Sequence, residues 1–217
     1  MIRKWASLAL LLSTSACLRD VVTEFPDGLA PLEDNTAPAV DELSDESISF
    51  ETDERDDGLF WLHGRGVVHA RLSDVIEALS DPQVVTDRRG VTRFTTEFDV
   101  EDNYEVSFDT FLTKVDILTV EWTLTWRGSV VQGDSDDPAV FAMRYQKTDG
   151  AAILDVMEGS ITATALNGNR TELALIQHLK APLTTEDDLL CYQQDLFDEV
   201  VLTTRGEDLP EYTENCR

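Results

Sequence analysis

The chain has 217 residues and a formal charge of −26, from 43 acidic against 17 basic side chains. That balance excludes a general nucleic-acid binder, because phosphate binding needs clustered Lys and Arg to displace counterions. Hydrophobic residues make up 42% and there are three cysteines. One sizeable core is therefore possible but a disulfide scaffold is not, and no Cys and His pairs fall at zinc-finger spacing, so neither a metal nor a cofactor is expected.

In chain order, Arg3 and Lys4 precede an apolar run from Trp5 to Leu12. This run is too short to span a bilayer, which takes about 20 residues, so residues 1–16 are expected to be a signal peptide. The following Ser13-Thr14-Ser15-Ala16-Cys17 resembles a bacterial lipoprotein signal, although Thr14 stands where that pattern usually has Leu. The resemblance implies that Cys17 is acylated and becomes the mature N-terminus, anchoring the chain to a membrane of the cell envelope on its periplasmic or outer-membrane side. Several acyl chains would hold where one anchors only marginally. Ordinary cleavage that leaves Cys17 as a plain thiol is the alternative.

Residues 18–57 carry 14 acidic side chains against Arg19 and Arg55, with Pro26, Pro31 and Pro38 interrupting any periodicity. Self-repulsion and low burial predict an extended acidic tether over 17–57. Phe25, Leu29 and Leu32 are more apolar than a spacer requires, and the alternative is that Phe25–Leu32 docks on the folded part.

From residue 58 to 217 alternation predicts one domain. The first strand, Phe60 to Ala70, places Phe60, Leu62, Gly64, Gly66, Val68 and Ala70 on one face and Trp61, His63, Arg65, Val67, His69 and Arg71 on a wet face. Ser73 is expected to cap a short helix through Leu79, and Asp81-Pro82 to start another. Strands follow at Thr92–Val100 and Tyr104–Leu112. In the next strand Leu118, Val120, Leu124 and the two indoles Trp122 and Trp126 share one face. After a polar loop come strands with Phe141, Met143 and Tyr145 inward, then Ile153, Met157, Ile161 and Ala163, then Leu173, Leu175 and Leu179. Thr185 and Asp188 open a final helix with an apolar stripe from Leu189 to Val201, which Gly206 ends.

This order of elements, with local texture such as Tyr145-Gln146-Lys147-Thr148-Asp149-Gly150 and Thr171-Glu172-Leu173, resembles the START-like (SRPBCC, helix-grip) superfamily of lipid-transfer domains, pollen-allergen-like binders and polyketide cyclases. The resemblance implies an α+β fold in which a curved seven-stranded antiparallel sheet grips a long C-terminal helix, often with an apolar cavity between them.

Trp122, Trp126, Phe141, Met143 and Met157, interrupted by Tyr145, Asp155 and Gln177, are the candidate lining of such a cavity, since ligand sites are mostly apolar with a few placed polar groups. An inward Asp155 would have to be paired. The alternative is that the aromatics pack the core and Asp155 faces out. No Gly-x-Ser-x-Gly, His-Glu-x-x-His or phosphate-binding glycine loop occurs, and Asp134, Asp136 and Asp137 fail as a calcium loop, which needs Gly at its sixth position and Glu at its twelfth. His63, His69 and His178 could cluster, but alternation puts the first two on the wet face. With Cys17 acylated, Cys191 and Cys216 form an even pair that an oxidising compartment favours as a disulfide; a buried free Cys191 is the alternative.

The expectation is thus an envelope lipoprotein binding an apolar small molecule or lipid between sheet and helix. An envelope structural or interaction protein with a self-filled interior is the second reading, and a cyclase- or hydratase-like enzyme the third. The first requires spare room beneath the last helix.

Overall fold

A computed structural model describes residues 20–41, 45–182 and 184–212; the expected signal peptide, Cys17 and Cys216 lie outside them. In order come β1 (Ser47–Glu54), β2 (Phe60–Val68), α1 (Leu72–Leu79), α2 (Pro82–Val85), β3 (Arg93–Phe98), β4 (Val106–Val115), β5 (Thr119–Asp134), β6 (Asp137–Gly150), β7 (Val156–Leu166), β8 (Arg170–Lys180) and α3 (Glu186–Thr204). The strands form one curved antiparallel sheet in the order β1-β2-β8-β7-β6-β5-β4-β3. One long connection, carrying α1 and α2 from β2 to β3, links the two arms of the sheet. Every other strand follows its neighbour by a hairpin.

The period of two along each strand separates the faces. Val68, Leu173, Leu175, Ile161, Met143, Trp126 and Phe108 point to the side that α1 and α3 cover, and they join Val75, Leu79, Leu196, Phe197 and Val200 in one core. Gly66 lets the helix close: a Cβ there would lie 2.7 Å from the Phe197 ring and 3.0 Å from Ile48. The α3 ends follow the sequence. Thr185 and Asp188 form a reciprocal capping box, and Gly206 adopts a φ of 70° just past the last turn, where an L side chain would be strained.

Four expectations are corrected. The sheet of the described residues has eight strands, because β1 lies inside the predicted tether. Its only inward apolar side chains, Ile48 and Phe50, are diluted by Glu51, Asp53 and Glu54, so the hydrophobic signal is weak, and the charges suit an edge strand that must not pair with other chains. The polar stretch after Trp126, expected as a loop, continues β5 to Asp134 and pairs with β6 as a long hairpin; Asp134 and Asp137 are its last pair. Arg71, not Ser73, is the N-cap of α1, and it has no side-chain capping bond.

The fourth correction concerns residues 20–41, which are a strap rather than a free spacer. Val21 N–H donates to the Gly150 carbonyl at 2.9 Å and Thr23 N–H to Thr148 at 2.7 Å, alongside the end of β6. Phe25 is buried, with the Arg127 guanidinium 4.0 Å from its ring centre and Arg127 Nη1 donating to its carbonyl at 3.0 Å. The strap then turns back across the outer face. Leu32 N–H donates to Ser160 Oγ at 3.2 Å, and Asn35 Nδ2 donates to the Gly64 and Leu175 carbonyls at 3.0 Å each. Backbone hydrogen bonds and a cation–π contact offset the self-repulsion that composition alone suggests.

Candidate functional site

Beneath the helices the structure gathers seven of the eight expected cavity residues. Trp122, Trp126, Phe141, Met143, Tyr145, Met157 and Gln177 are all buried on the concave side. Asp155 is not among them. It precedes β7, outside the strand alternation, and sits exposed with Lys180 Nζ 3.4 Å away, which spares it the burial cost that an inward position would carry.

These side chains fill the space rather than line it. Phe108 stacks on Trp126 with ring centres 5.7 Å apart, and Trp126 meets Tyr145 at 4.4 Å; none of the three is more than 1% exposed. The indole Nε1 of Trp126 donates to Thr110 Oγ1 at 3.1 Å, which fixes the ring. Helix α3 is pinned over the column by Gln193 Nε2, donating to Gln177 Oε1 at 2.8 Å. The rings of the expected lining thus pack against one another in the core. Trp126 and Tyr145 are among the largest fully buried side chains. Three buried polar atoms in this region have no hydrogen-bond partner, namely Tyr145 Oη, Gln193 Oε1 and Trp122 Nε1. Burial also pushes the Tyr145 hydroxyl far above its usual pKa, so it remains a neutral donor.

A groove of about 400 Å³ opens elsewhere, beside the C-terminal half of α3, lined by Asp45, Glu46, His69, Asp198 and Arg205 over Phe197 and Val201. No residue of the aromatic column reaches it, and its charged rim is unlike the apolar lining expected of a lipid site.

The outer face carries a polar cluster that alternation alone hid. Glu33 of the strap reaches between β2 and β8, with Oε1 3.0 Å from His63 Nε2 and 3.1 Å from His178 Nε2, and Oε2 accepts from Arg55 Nη2 at 2.7 Å. His178 Nδ1 lies 3.0 Å from Glu158 Oε1. Thr36 N–H donates to His63 Nδ1 at 3.0 Å, so that nitrogen is the acceptor and Nε2 carries the proton toward Glu33. His63 and His178 are both buried; the strap, not solvent, covers the expected wet face. Burial opposes the charge on Glu33, but hydrogen bonds from His178 and His63, with the charges of His178 and Arg55, outweigh it and hold the carboxyl at about 2. Burial likewise opposes charge on His178, yet its bonds to Glu158 and Glu33 raise its pKa above the usual histidine range.

A second polar cluster closes the far side of α3. Glu199 Oε1 accepts from Arg88 Nη2 at 2.7 Å and from the Tyr212 hydroxyl at 2.6 Å, Arg88 Nη1 binds the Pro210 carbonyl at 3.0 Å, and Arg89 grips Asp195 with two bonds of 2.7 and 2.9 Å. Burial raises the Glu199 carboxyl above its usual pKa. The space beside it has no room for a water molecule. Cys191, on the same helix, is disulfide-bonded.

No family model and no curated protein matches this chain. Among solved structures it is similar to human StAR-related lipid transfer protein 5, at a TM-score of 0.51 and 10% identity over 73% of this chain and 82% of that one. The chain has a START-like helix-grip fold. Human StarD13's lipid transfer and protein localization domain aligns with TM-score 0.49 and 9% identity over 79% of this chain and 88% of its own. The aromatase/cyclase Zhui from Streptomyces sp. R1128 aligns with TM-score 0.42 and 19% identity over 68% and 92%. Within the helix-grip fold, the sequence located the concave residues but missed Glu33, His63, His178 and Glu158 as one unit. The available signal was Phe25 and Leu32, apolar side chains in a segment otherwise too charged to need them.

Proposed function

We infer that this chain is an exported, lipid-anchored envelope protein whose helix-grip domain acts as an interaction module with a self-filled interior and no resident small molecule. The observation that carries this reading is the buried column of Phe108, Trp126 and Tyr145, which takes the place a guest would need. The strap supports it as well, since it holds the domain close to the N-terminal anchor instead of letting it roam on a spacer. The net charge of −26 suits a cationic partner surface. Native mass spectrometry after gentle extraction, followed by titration of the delipidated protein with a fluorescent fatty acid, tests the empty interior. The expected result is no copurifying lipid and no saturable uptake. Anchoring is tested separately: labelled palmitate should enter the wild-type chain but not Cys17→Ser.

The second reading is an apolar small molecule or lipid held between the sheet and α3. It is favoured by the unpartnered Tyr145 Oη, Gln193 Oε1 and Trp122 Nε1, because buried polar groups without partners are costly and a polar head group would satisfy them. Stoichiometric uptake that quenches tryptophan emission and weakens in Tyr145→Phe would establish that reading in place of the first.

A further inference from the structure

Of the eight large exposed hydrophobic side chains among the described residues, Phe98, Phe111 and Val131 stand apart, and the other five lie at one end of the sheet. The β4–β5 hairpin tip carries Val115, Ile117 and Leu118 at 53%, 95% and 57% exposure, and the start of the strap carries Val22 at 80% and Val21 at 39%. The register brings the two together: Val115 pairs with Thr119 at the tip, Trp122 three residues on pairs with Gly150, and Gly150 and Ala151 are the residues that hold Val21 and Asp20. The strap start and the hairpin tip therefore lie at one end of the sheet, about 10 Å apart along the strands at roughly 3.3 Å per residue and about 10 Å apart across them, since β6 stands between β5 and the strap at roughly 4.8 Å per spacing. Cys17 precedes Asp20 by three residues, a reach of at most about 11 Å.

The geometry points to the β4–β5 hairpin tip, Val115 to Leu118, with Val22 at the same end of the sheet, as a second membrane contact that enters the head-group region of the bilayer to which Cys17 is anchored. This rests on the acylation reading given above. Two facts commit the site to a lipid surface. The docked strap removes the slack that would let the domain stand away from its anchor, and the only chain left between anchor and body is too short to turn the tip aside. Isolated exposed hydrophobics are ordinary on protein surfaces, but a contiguous apolar cluster marks a contact. Lys114 and Asp116 leave the tip without strong net charge, so zwitterionic head groups suffice.

The test uses the full acylated protein, extracted in detergent and reconstituted into phosphatidylcholine vesicles, with a polarity-sensitive fluorophore on Ile117→Cys or on Asp136→Cys. Asp136 is in the β5–β6 turn at the other end of the 16-residue β5, about 50 Å away by strand rise. Unsubstituted protein carried through the same labelling gives the background. The expected result is a blue-shifted emission at 117, quenched by nitroxide lipids, with water-like emission at 136. Water-like emission at 117 in protein whose acyl chains are confirmed by mass overturns the inference and leaves the anchor standing. Absence of acyl chains removes the anchor reading and this inference with it. A blue shift at 117 that needs no vesicles and grows with protein concentration assigns the tip to a second copy of the chain, and also overturns it.

Discussion

Gly159→Ala measures directly whether the interior has spare room. Gly159 sits in β7 across from Tyr145, and a Cβ added there would lie 2.3 Å from Cε1 and Cζ of that ring and 2.4 Å from its oxygen. Carbon contacts are comfortable at about 3.5–4.0 Å, so the ring must retreat by more than 1 Å on the order of a full atom radius. Behind it stands Trp126, with ring centres only 4.4 Å apart and its indole nitrogen bonded to Thr110. Overpacking of this kind costs about 1–3 kcal/mol, and the top of that range applies when the displaced group has nowhere to go. The backbone gain of Ala over Gly in a strand returns about 0.5–1 kcal/mol, leaving a net destabilisation of about 2 kcal/mol. Urea unfolding followed by tryptophan fluorescence should show a lower midpoint with unchanged slope. In a Tyr145→Leu background the same glycine substitution should cost almost nothing, because the two sites interact only through that ring. A Gly159→Ala protein as stable as the parent would mean that Tyr145 moves freely into open space. The self-filled interior would then be wrong, and a ligand cavity would regain its place.

The remaining predictions concern the strap and the closing helix. Glu33→Ala removes the shared partner of two buried imidazoles, and leaving such donors unpaired costs roughly 1–3 kcal/mol each, so the variant should lose about 2 kcal/mol and show faster amide exchange at Thr36 and Ala37. The clasp also has a defined pH window. Glu33 is held below its ordinary 4.5, so its contribution is full above that value and is lost as pH falls toward about 2. His178 is held above its ordinary 6.5, so its contribution is full below that value and is lost as pH rises through the elevated folded value. Strap protection should therefore peak between about 4.5 and 6.5 and decline on the alkaline side, and Glu33→Gln should flatten that profile. Thr185→Ala deletes the side-chain half of the α3 capping box and should cost about 1 kcal/mol by thermal unfolding without changing the aromatic column's near-ultraviolet circular dichroism.

What the sequence made legible follows from how far each residue's environment is set by its near neighbours. Strand alternation in Val120–Trp126 and Leu173–Leu179 is local, as are the Thr185 cap and the Gly206 stop, and the structure reproduces them, whereas Leu118, expected on the same inward face, lies exposed just before β5. Asp155 was misplaced because alternation was carried one residue past the start of β7, where the backbone is turning and the Lys180 carbonyl accepts the Asp155 N–H at 2.9 Å. The polar residues after Trp126 form strand because the hairpin pairs with itself beyond the edge of the core, where backbone hydrogen bonds and not burial set the conformation.

The strap was only half legible, its docking left as an alternative on the strength of Phe25, Leu29 and Leu32, for a different reason. Whether an acidic segment docks depends on what waits for it on a distant surface. Arg127, Arg144, His63 and His178 come from four strands across the sheet, and none of them announces in sequence that it shares a face with the others. Once register is known, the logic inverts: His63 and His178 are placed on neighbouring strands, with Trp61 opposite His178 and Ile176 opposite His63, so that a single carboxylate bridges both rings. The face that alternation marks as solvent-facing is then a place on this acidic protein where an acidic segment finds cations. That local charge complementarity is what overrides a net charge of −26 and brings the strap against the body of the domain.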